Sequence, residues 1–380
     1  MVSRSSSRPS SQPDALVRLE GVTKHFPVRT GRLLQRSSEV VHAVDDVTLD
    51  VVRGETVGLV GETGCGKSTL ARCITRLVEL TSGTVLIDGE DISRLSRRRL
   101  RPYRRRMQMI FQDPYSSLNP RRRVGSIIGD PFIIHEPKIG SDQRKERVQH
   151  LMELVGLNPE HYNRFPAEFS GGQRQRIGVA RALALQPELI VADEPVSALD
   201  VSVRAQVINL LADLQEEFHL TYVFITHDLS VVRHVSDRVA VMYLGQIVEV
   251  AERDDLYNRP RHPYTKALQS AIPVPDPDEA DRRTRTVLGG DVPSPVDPPS
   301  GCRFHPRCPK AQARCAEEVP VLEPRLGDSF GHTVACHFPL SDGEKLPEAP
   351  PPGVADIASL GRPGTGTRGG GQSAIPRGTS

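Results

Sequence analysis

The chain has 380 residues, enough for two or three domains, and its 49 basic residues nearly balance 47 acidic ones to leave a net charge of +2. That near-neutrality gives no global field for nucleic acid. No run approaches the roughly 18 apolar residues of a membrane span, and the N-terminus lacks the apolar core of a secretion signal, so a cytoplasmic fold is expected.

Only 37% of the residues are apolar, and the deficit lies at the ends. Residues 1–14 and 341–380 are rich in Pro, Gly and Ser and are predicted to be disordered, because such composition buries too little apolar surface to offset chain entropy. The first ordered stretch carries Phe26 in "VTKHFPV", an aromatic ring with either a stacking or a packing role. Next, "TVGLVGETGCGKSTLARCI" (56–74) reads as a buried strand, a glycine-rich loop and a helix. The loop is Gly61, Glu62, Thr63, Gly64, Cys65, Gly66, Lys67, Ser68 and Thr69. Its glycines let backbone N–H groups curl around phosphate, Lys67 supplies a point charge for the β- and γ-phosphates, and the Ser68 hydroxyl can ligate Mg²⁺. Cys65 needs only to be small.

The basic run "RLSRRRLRPYRRR" (94–106) reads as a solvated helical face, with anionic lipid or nucleic acid as the sharper alternative. "MIFQDP" (109–114) places Gln112 at a strand exit, where an uncharged amide bonds water or Mg²⁺ ligands. In "SDQRKERVQHLMELVGL" (141–157), Val148, Leu151, Met152 and Val155 recur at helical spacing. Ser170, Gly171, Gly172 and Gln173 then open a helix in the manner of an anion-binding N-terminus, a second phosphate site about a hundred residues after the first. "PELIVADEP" (187–195) is a short apolar strand that ends in Asp193, placed to complete a Mg²⁺ shell, and Glu194, placed to polarise a water. "TYVFITHDL" (221–229) is another buried strand, and it delivers His227 to the same carboxyl edge.

These pieces, together with "SALD" (197–200), stand in the order found in ABC-transporter ATPase subunits, which the chain resembles from about Val17 to Pro273. The resemblance implies an α/β P-loop ABC ATPase over 15–257, built of a β-subdomain, a RecA-like core and a helical subdomain at about 113–186. It implies ATP and Mg²⁺ as cofactors and a head-to-tail dimer in which the SGGQ loop of one subunit closes on the ATP of the other. That answers why one chain carries two phosphate sites. By the same resemblance, Ser68, Gln112 and Asp193 hold Mg²⁺, Glu194 is the base, and His227 contacts the γ-phosphate. Ser170, Gly171, Gly172 and Gln173 act across the interface, Asp200 couples the two sites, and Phe26 stacks on adenine.

"NRPRHPYTKALQSAIP" (258–273), "FQDPYSSLNPR" (111–121) and "GGDVPSPVDPPSGCRFHPRCP" (289–309) resemble the oligopeptide and dipeptide importers and their nickel-transporting relatives. The insertion at 27–47 resembles that of the second ATPase of such systems. The implied partners are a paralogous ATPase, two transmembrane permease subunits and, indirectly, an extracytoplasmic substrate-binding protein, with the chain on the cytoplasmic face of the membrane. No nucleic-acid partner is expected, although a soluble ABC ATPase acting on nucleic acid is the alternative.

Residues 258–340 are expected to form a small Cys-rich domain. Cys302, Cys308, Cys315 and Cys336 fall within 35 residues, and a cytoplasmic chain has little use for disulfides. Their wide, uneven gaps favour a [4Fe–4S] cluster, which some members of the resembling family hold, over Zn²⁺ or plain packing. His305 and His337 are further candidate ligands.

Overall fold

The computed structural model describes residues 15–28, 39–113, 117–272 and 288–346. The expected tails at 1–14 and beyond 346, and part of the insertion at 27–47, lie outside the described residues.

The chain opens with β1 (Ala15–Pro27) and β2 (Val40–Val52), long antiparallel strands whose alternating Val and Leu residues face inward. After the buried strand β3 (Thr56–Val60) and the helix Lys67–Ile74 come β4 (Ser82–Ile87) and β5 (Glu90–Asp91). Strands β2, β1, β4 and β5 form one four-stranded antiparallel sheet.

The larger sheet adds β6 (Met107–Ile110), β7 (Leu189–Asp193), β8 (Thr221–Ile225), β9 (Arg238–Tyr243), β10 (Gln246–Glu252), β11 (Glu323–Pro324) and β12 (Thr333–Val334). Its order is β11-β12-β10-β9-β3-β8-β7-β6, with β9, β3, β8, β7 and β6 all parallel. Strands β3, β7 and β8 are buried at every position, as expected where helices cover both faces of a parallel sheet. Their carboxyl ends therefore lie along one edge.

Between β6 and β7 the helices Val124–His135, Ser141–Leu154 and Gly171–Leu183 pack as a unit. Val148, Leu151, Met152 and Val155 are buried there, as the helical spacing requires.

The basic run folds as the helix Arg97–Arg106, with only Leu100 buried. Arg97, Arg98, Arg99 and Arg101 are exposed, as a solvated helical face requires, while the last turn is held by ion pairs. Arg105 pairs with Glu136 at 2.9 Å, and Arg106 pairs with Asp88 at 2.8 Å and Glu188 at 2.5 Å. These arginines bind the helix to the rest of the fold, and the two on Glu188 (Arg106 and Arg53) hold its carboxyl down at about 2.

The described part of the C-terminal region is joined to the large sheet. Strands β12 and β11 extend the large sheet through β10, and Phe304, Cys308 and Ala311 share one core with Val239, Val241, Tyr243 and Tyr264. Glu249, fully buried on β10, is the anchor: its carboxylate accepts from the backbone N–H of Arg261 and His262 and pairs with His332 at 2.8 Å. An acid so placed is tolerated only because each oxygen is satisfied. Order also continues past the expected start of the tail at 341. Lys310 pairs with Glu344 at 2.5 Å and Arg261 with Asp342 at 2.6 Å.

Candidate functional site

Strand β3 runs into the turn Gly61–Gly66 and directly into the helix Lys67–Ile74. Two of the glycines are required by space. A Cβ on Gly61 would come within 2.1 Å of the Met242 carbonyl oxygen. One on Gly66 would come within 2.0 Å of the Ala43 oxygen, at φ +109. Lys67 is buried, and its ammonium donates to the carbonyls of Gly61 at 2.7 Å and Glu62 at 3.0 Å. Cys65 is buried, and burial raises its thiol pKa, so it packs as a small neutral residue.

The three strand exits converge on this loop. Ser68 Oγ donates to Asp193 Oδ1 at 2.8 Å. Gln112 Nε2 donates to Glu194 Oε2 at 3.1 Å, and His227 Nδ1 stands 3.3 Å from the same oxygen. Burial pushes the Asp193 carboxyl up, a cost that a divalent cation on Ser68 and Asp193 would relieve. Glu194 holds a left-handed backbone at φ +47, with its N–H donating to the Ile225 carbonyl at 2.9 Å. That conformation costs an acid about 1 kcal/mol or more, and such strain concentrates at functional sites.

Thr63, Gly64, Gly66, Lys67, Ser68, Thr69, Gln112 and Glu194 line one cleft of about 340 Å³, which Phe26, Val41, Ala43 and Pro295 also line. Phe26 is partly exposed, and the Lys24 ammonium lies 4.7 Å from its ring centre. The arrangement can cradle phosphates, hold a cation and present a carboxylate to a water, with an aromatic face at the other end.

Ser170, Gly171, Gly172, Gln173 and Asp200 do not line this cleft. The first four are ordered as a capping box: Gln173 N–H donates to Ser170 Oγ at 3.3 Å, and Ser170 N–H to Gln173 Oε1 at 3.0 Å. Gly172 is buried, and a Cβ there would meet Val203 Cγ1 at 2.2 Å, so this glycine seats its helix against Val201–Phe218. Asp200 is the exposed N-cap residue of that second helix and makes no side-chain cap bond.

Several contacts at the site carried no sequence signal. Tyr264 Oη accepts the Glu62 N–H at 2.9 Å, and Arg307 grips the Glu62 carboxylate. His25, His42 and Asp45 cluster beside Phe26, but the Arg303 guanidinium already pairs with Asp45, which closes the group to a cation. In the "HPYT" stretch, His262 Nδ1 accepts from Tyr264 N–H at 3.1 Å and caps the helix Pro263–Ser270. Complete burial pushes its pKa down to about 3, so it is neutral and structural.

A strand–loop–helix cradle at the edge of a parallel sheet, joined there by Asp193, Glu194 and His227, defines a P-loop nucleotide-binding core. The chain matches the family model described as "ABC transporter" over residues 44–197, and that described as "Oligopeptide/dipeptide transporter, C-terminal region" over 248–315. It is 54% identical over 359 residues to a probable peptide ABC transporter ATP-binding protein, y4tS, of Sinorhizobium fredii, covering 94% of this chain and 98% of that one. The oligopeptide transport ATP-binding protein AppF of Bacillus subtilis is 53% identical, over 87% of this chain and 99% of its own. OppF of Escherichia coli is 51% identical, over 84% and 95%. A dimeric post-hydrolysis state of the ATP-binding cassette MJ0796, bound to ADP and Pi, superposes with a TM-score of 0.56 at 30% identity, over 62% of this chain and 98% of that one. The chain belongs to the ABC transporter ATP-binding family, in the branch that carries the oligopeptide/dipeptide C-terminal region.

Proposed function

We propose that this chain is the ATP-hydrolysing subunit that powers import of peptides through a separate membrane permease. The observation that supports it most is the joining of the two matched regions: residues 258–272 and 288–340 are built onto the sheet of the nucleotide core. No helix among the described residues is long and apolar enough to cross a membrane. In this reading the solute path belongs to other subunits, and this one sits against them at the cytoplasmic face. The nucleic-acid reading loses ground because Arg105 and Arg106 are engaged by Glu136, Asp88 and Glu188. A tagged chain purified from its own membranes should bring down two membrane-spanning proteins and a second ATPase. Recovery with nucleic acid and no membrane protein would overturn the assignment.

In this reading residues 61–69 wrap the phosphates, Ser68 and Asp193 hold Mg²⁺ with Gln112 beside them, and Phe26 stacks on adenine. Glu194 would take the proton of the attacking water, and His227, beside Glu194, would contact the γ-phosphate. Ser170, Gly171, Gly172 and Gln173 lie outside their own cleft, and they act on the nucleotide of a paralogous partner, with Asp200 beside that seam. Ser170→Arg is accordingly expected to lower hydrolysis by the assembled transporter at least a hundredfold, since its side chain would enter the partner's phosphate site. ATP binding to the isolated subunit should stay within about twofold of wild type by titration. Weakened binding in the isolated subunit would assign the loop to its own site.

Cys302, Cys308, Cys315 and Cys336 line one enclosed pocket, and none is in a disulfide. Burial pushes the thiols of Cys302 and Cys336 up to about 11 and about 12, and that of Cys308 higher still. A tetrahedral zinc at about 2.3 Å from each sulfur needs sulfurs about 3.8 Å apart. No three of these sulfurs lie within 4.8 Å of one another, the only such ligand trio among the described residues being His25, His42 and Asp45. The uneven spacing of these four cysteines along the chain supports a [4Fe–4S] cluster over zinc; Cys302, Cys308, Cys315 and Cys336 would hold it, and it would staple the segment. His337 Nε2 is engaged by the Glu318 carbonyl at 2.9 Å, and His305 Nδ1 by that of Cys302 at 2.9 Å. Anaerobic purification should yield a brown protein with about four irons per chain, and Cys308→Ser should lose them. Stoichiometric zinc, or a colourless chain free of iron, would remove the cluster.

A further inference from the structure

The residues between the first two cysteines of that pocket reach the phosphate loop. Glu62, the second residue of the loop, is held at two points by the C-terminal region. Its backbone N–H donates to Tyr264 Oη at 2.9 Å. Its carboxylate receives both arms of the Arg307 guanidinium, Nη1 to Oε2 at 2.8 Å and Nη2 to Oε1 at 3.2 Å. Arg307 is only 9% exposed, so the fork is largely shielded from water, where a bidentate pair is strong and fixes geometry.

The same turn is tied to the site at other points. Arg303 Nη1 donates to the Leu244 carbonyl at 2.5 Å, and Arg303 also pairs with Asp45 of β2. The adjoining Gly245 N–H donates to the Cys65 carbonyl of the loop at 2.8 Å. Phe304, between the two arginines, packs edge-on to Tyr243 with centroids 5.2 Å apart and lies 5.3 Å from Tyr264. An acid in an anion-binding loop is electrostatically misplaced unless a cation neutralises it. Arg307 does so, and it holds the loop while doing so.

We infer that Arg307 and Tyr264 are positioning residues for nucleotide binding, acting through Glu62, and that the cysteine-bearing turn is the brace that keeps the phosphate loop in its binding shape. The inference rests on the reading of residues 61–69 as the ATP phosphate loop. Neither residue reaches Glu194 or His227, so the brace affects how tightly ATP is held and leaves the rate of the chemical step alone. A loop released from it must be ordered by the ligand, and Glu62 then stands uncompensated beside the phosphates. The state of the cysteine segment is thereby felt at the nucleotide, because Cys302 and Cys308 flank the two arginines and the Cys302 N–H donates to the Cys315 carbonyl at 2.7 Å.

The test is titration of the full chain with ATP, and KM and kcat of the assembled transporter, for wild type, Arg307→Met, Arg307→Lys, Tyr264→Phe and Glu62→Gln/Arg307→Met. Arg307→Met is expected to weaken ATP binding about tenfold, the loss of one charge-assisted pair, with KM rising in step and kcat within about twofold of wild type. Arg307→Lys should recover part of the affinity, since it keeps the charge and loses the fork. The double variant should bind no more weakly than Arg307→Met alone. Tyr264→Phe keeps the ring stack, loses only the acceptor and should bind about fivefold more weakly. It decides the matter alone if Arg307→Met does not fold. Folded variants that bind ATP as wild type does, or losses that fall on kcat with KM unchanged, would overturn the brace. Lys67→Ala separates the two levels. If wild type binds ATP and Lys67→Ala does not while the brace variants match wild type, only the brace fails. If wild type binds no ATP, the phosphate-loop reading fails with it.

Discussion

Glu194→Gln is expected to lower kcat about a thousandfold, the usual scale for removing a general base, while ATP still binds. The amide keeps the shape and the contacts to Gln112 and His227, both now made on a carboxylate oxygen, but it cannot take a proton from water. The left-handed backbone at this position, φ +47, is tolerated equally by either side chain, so folding should be unaffected. The variant should therefore accumulate in an ATP-bound, closed assembly, seen as a larger species by light scattering with ATP and not with ADP. Hydrolysis at the wild-type rate would remove Glu194 from the reaction.

Lys67→Ala is expected to act one step earlier. The ammonium is buried at the loop, bonded to the carbonyls of Gly61 and Glu62, and it is the formal positive charge of the loop itself. Its loss removes charge-assisted bonds to phosphate from a desolvated site, so ATP affinity should fall about a hundredfold. Titration with ATP and with adenosine distinguishes the cause, because adenosine carries no phosphate and its weaker binding should be unchanged. An equal fall for both would mean that the loop had lost its fold.

The nucleotide core was legible because its signals are local. Buried strands, a glycine-rich turn and helical spacing are written in consecutive residues, and the parallel sheet then delivers Gln112, Asp193, Glu194 and His227 to one edge without further instruction. The separation of Ser170 from its own cleft was implied by resemblance, and it agrees with a capping box that faces elsewhere. How the C-terminal region attaches to the core was not legible, because what binds it there is not local. Glu249 meets His332 across 83 residues, and Glu62 meets Arg307 across 245. No period or spacing announces such a pair; only the folded register does. The arginine run shows the same limit. Composition marked it as basic, and only the fold reveals that Asp88, Glu136 and Glu188 stand opposite it.

The central claim, that this chain spends ATP to move peptides through a membrane partner, is tested most directly by the ATP hydrolysis rate of the purified transporter in lipid vesicles, with its binding protein added empty or loaded with peptide. The account predicts a low basal rate that rises several-fold only with the peptide-loaded protein, and no such rise when the complex carries Glu194→Gln. A rate indifferent to peptide, or one raised instead by nickel or by nucleic acid, would contradict it.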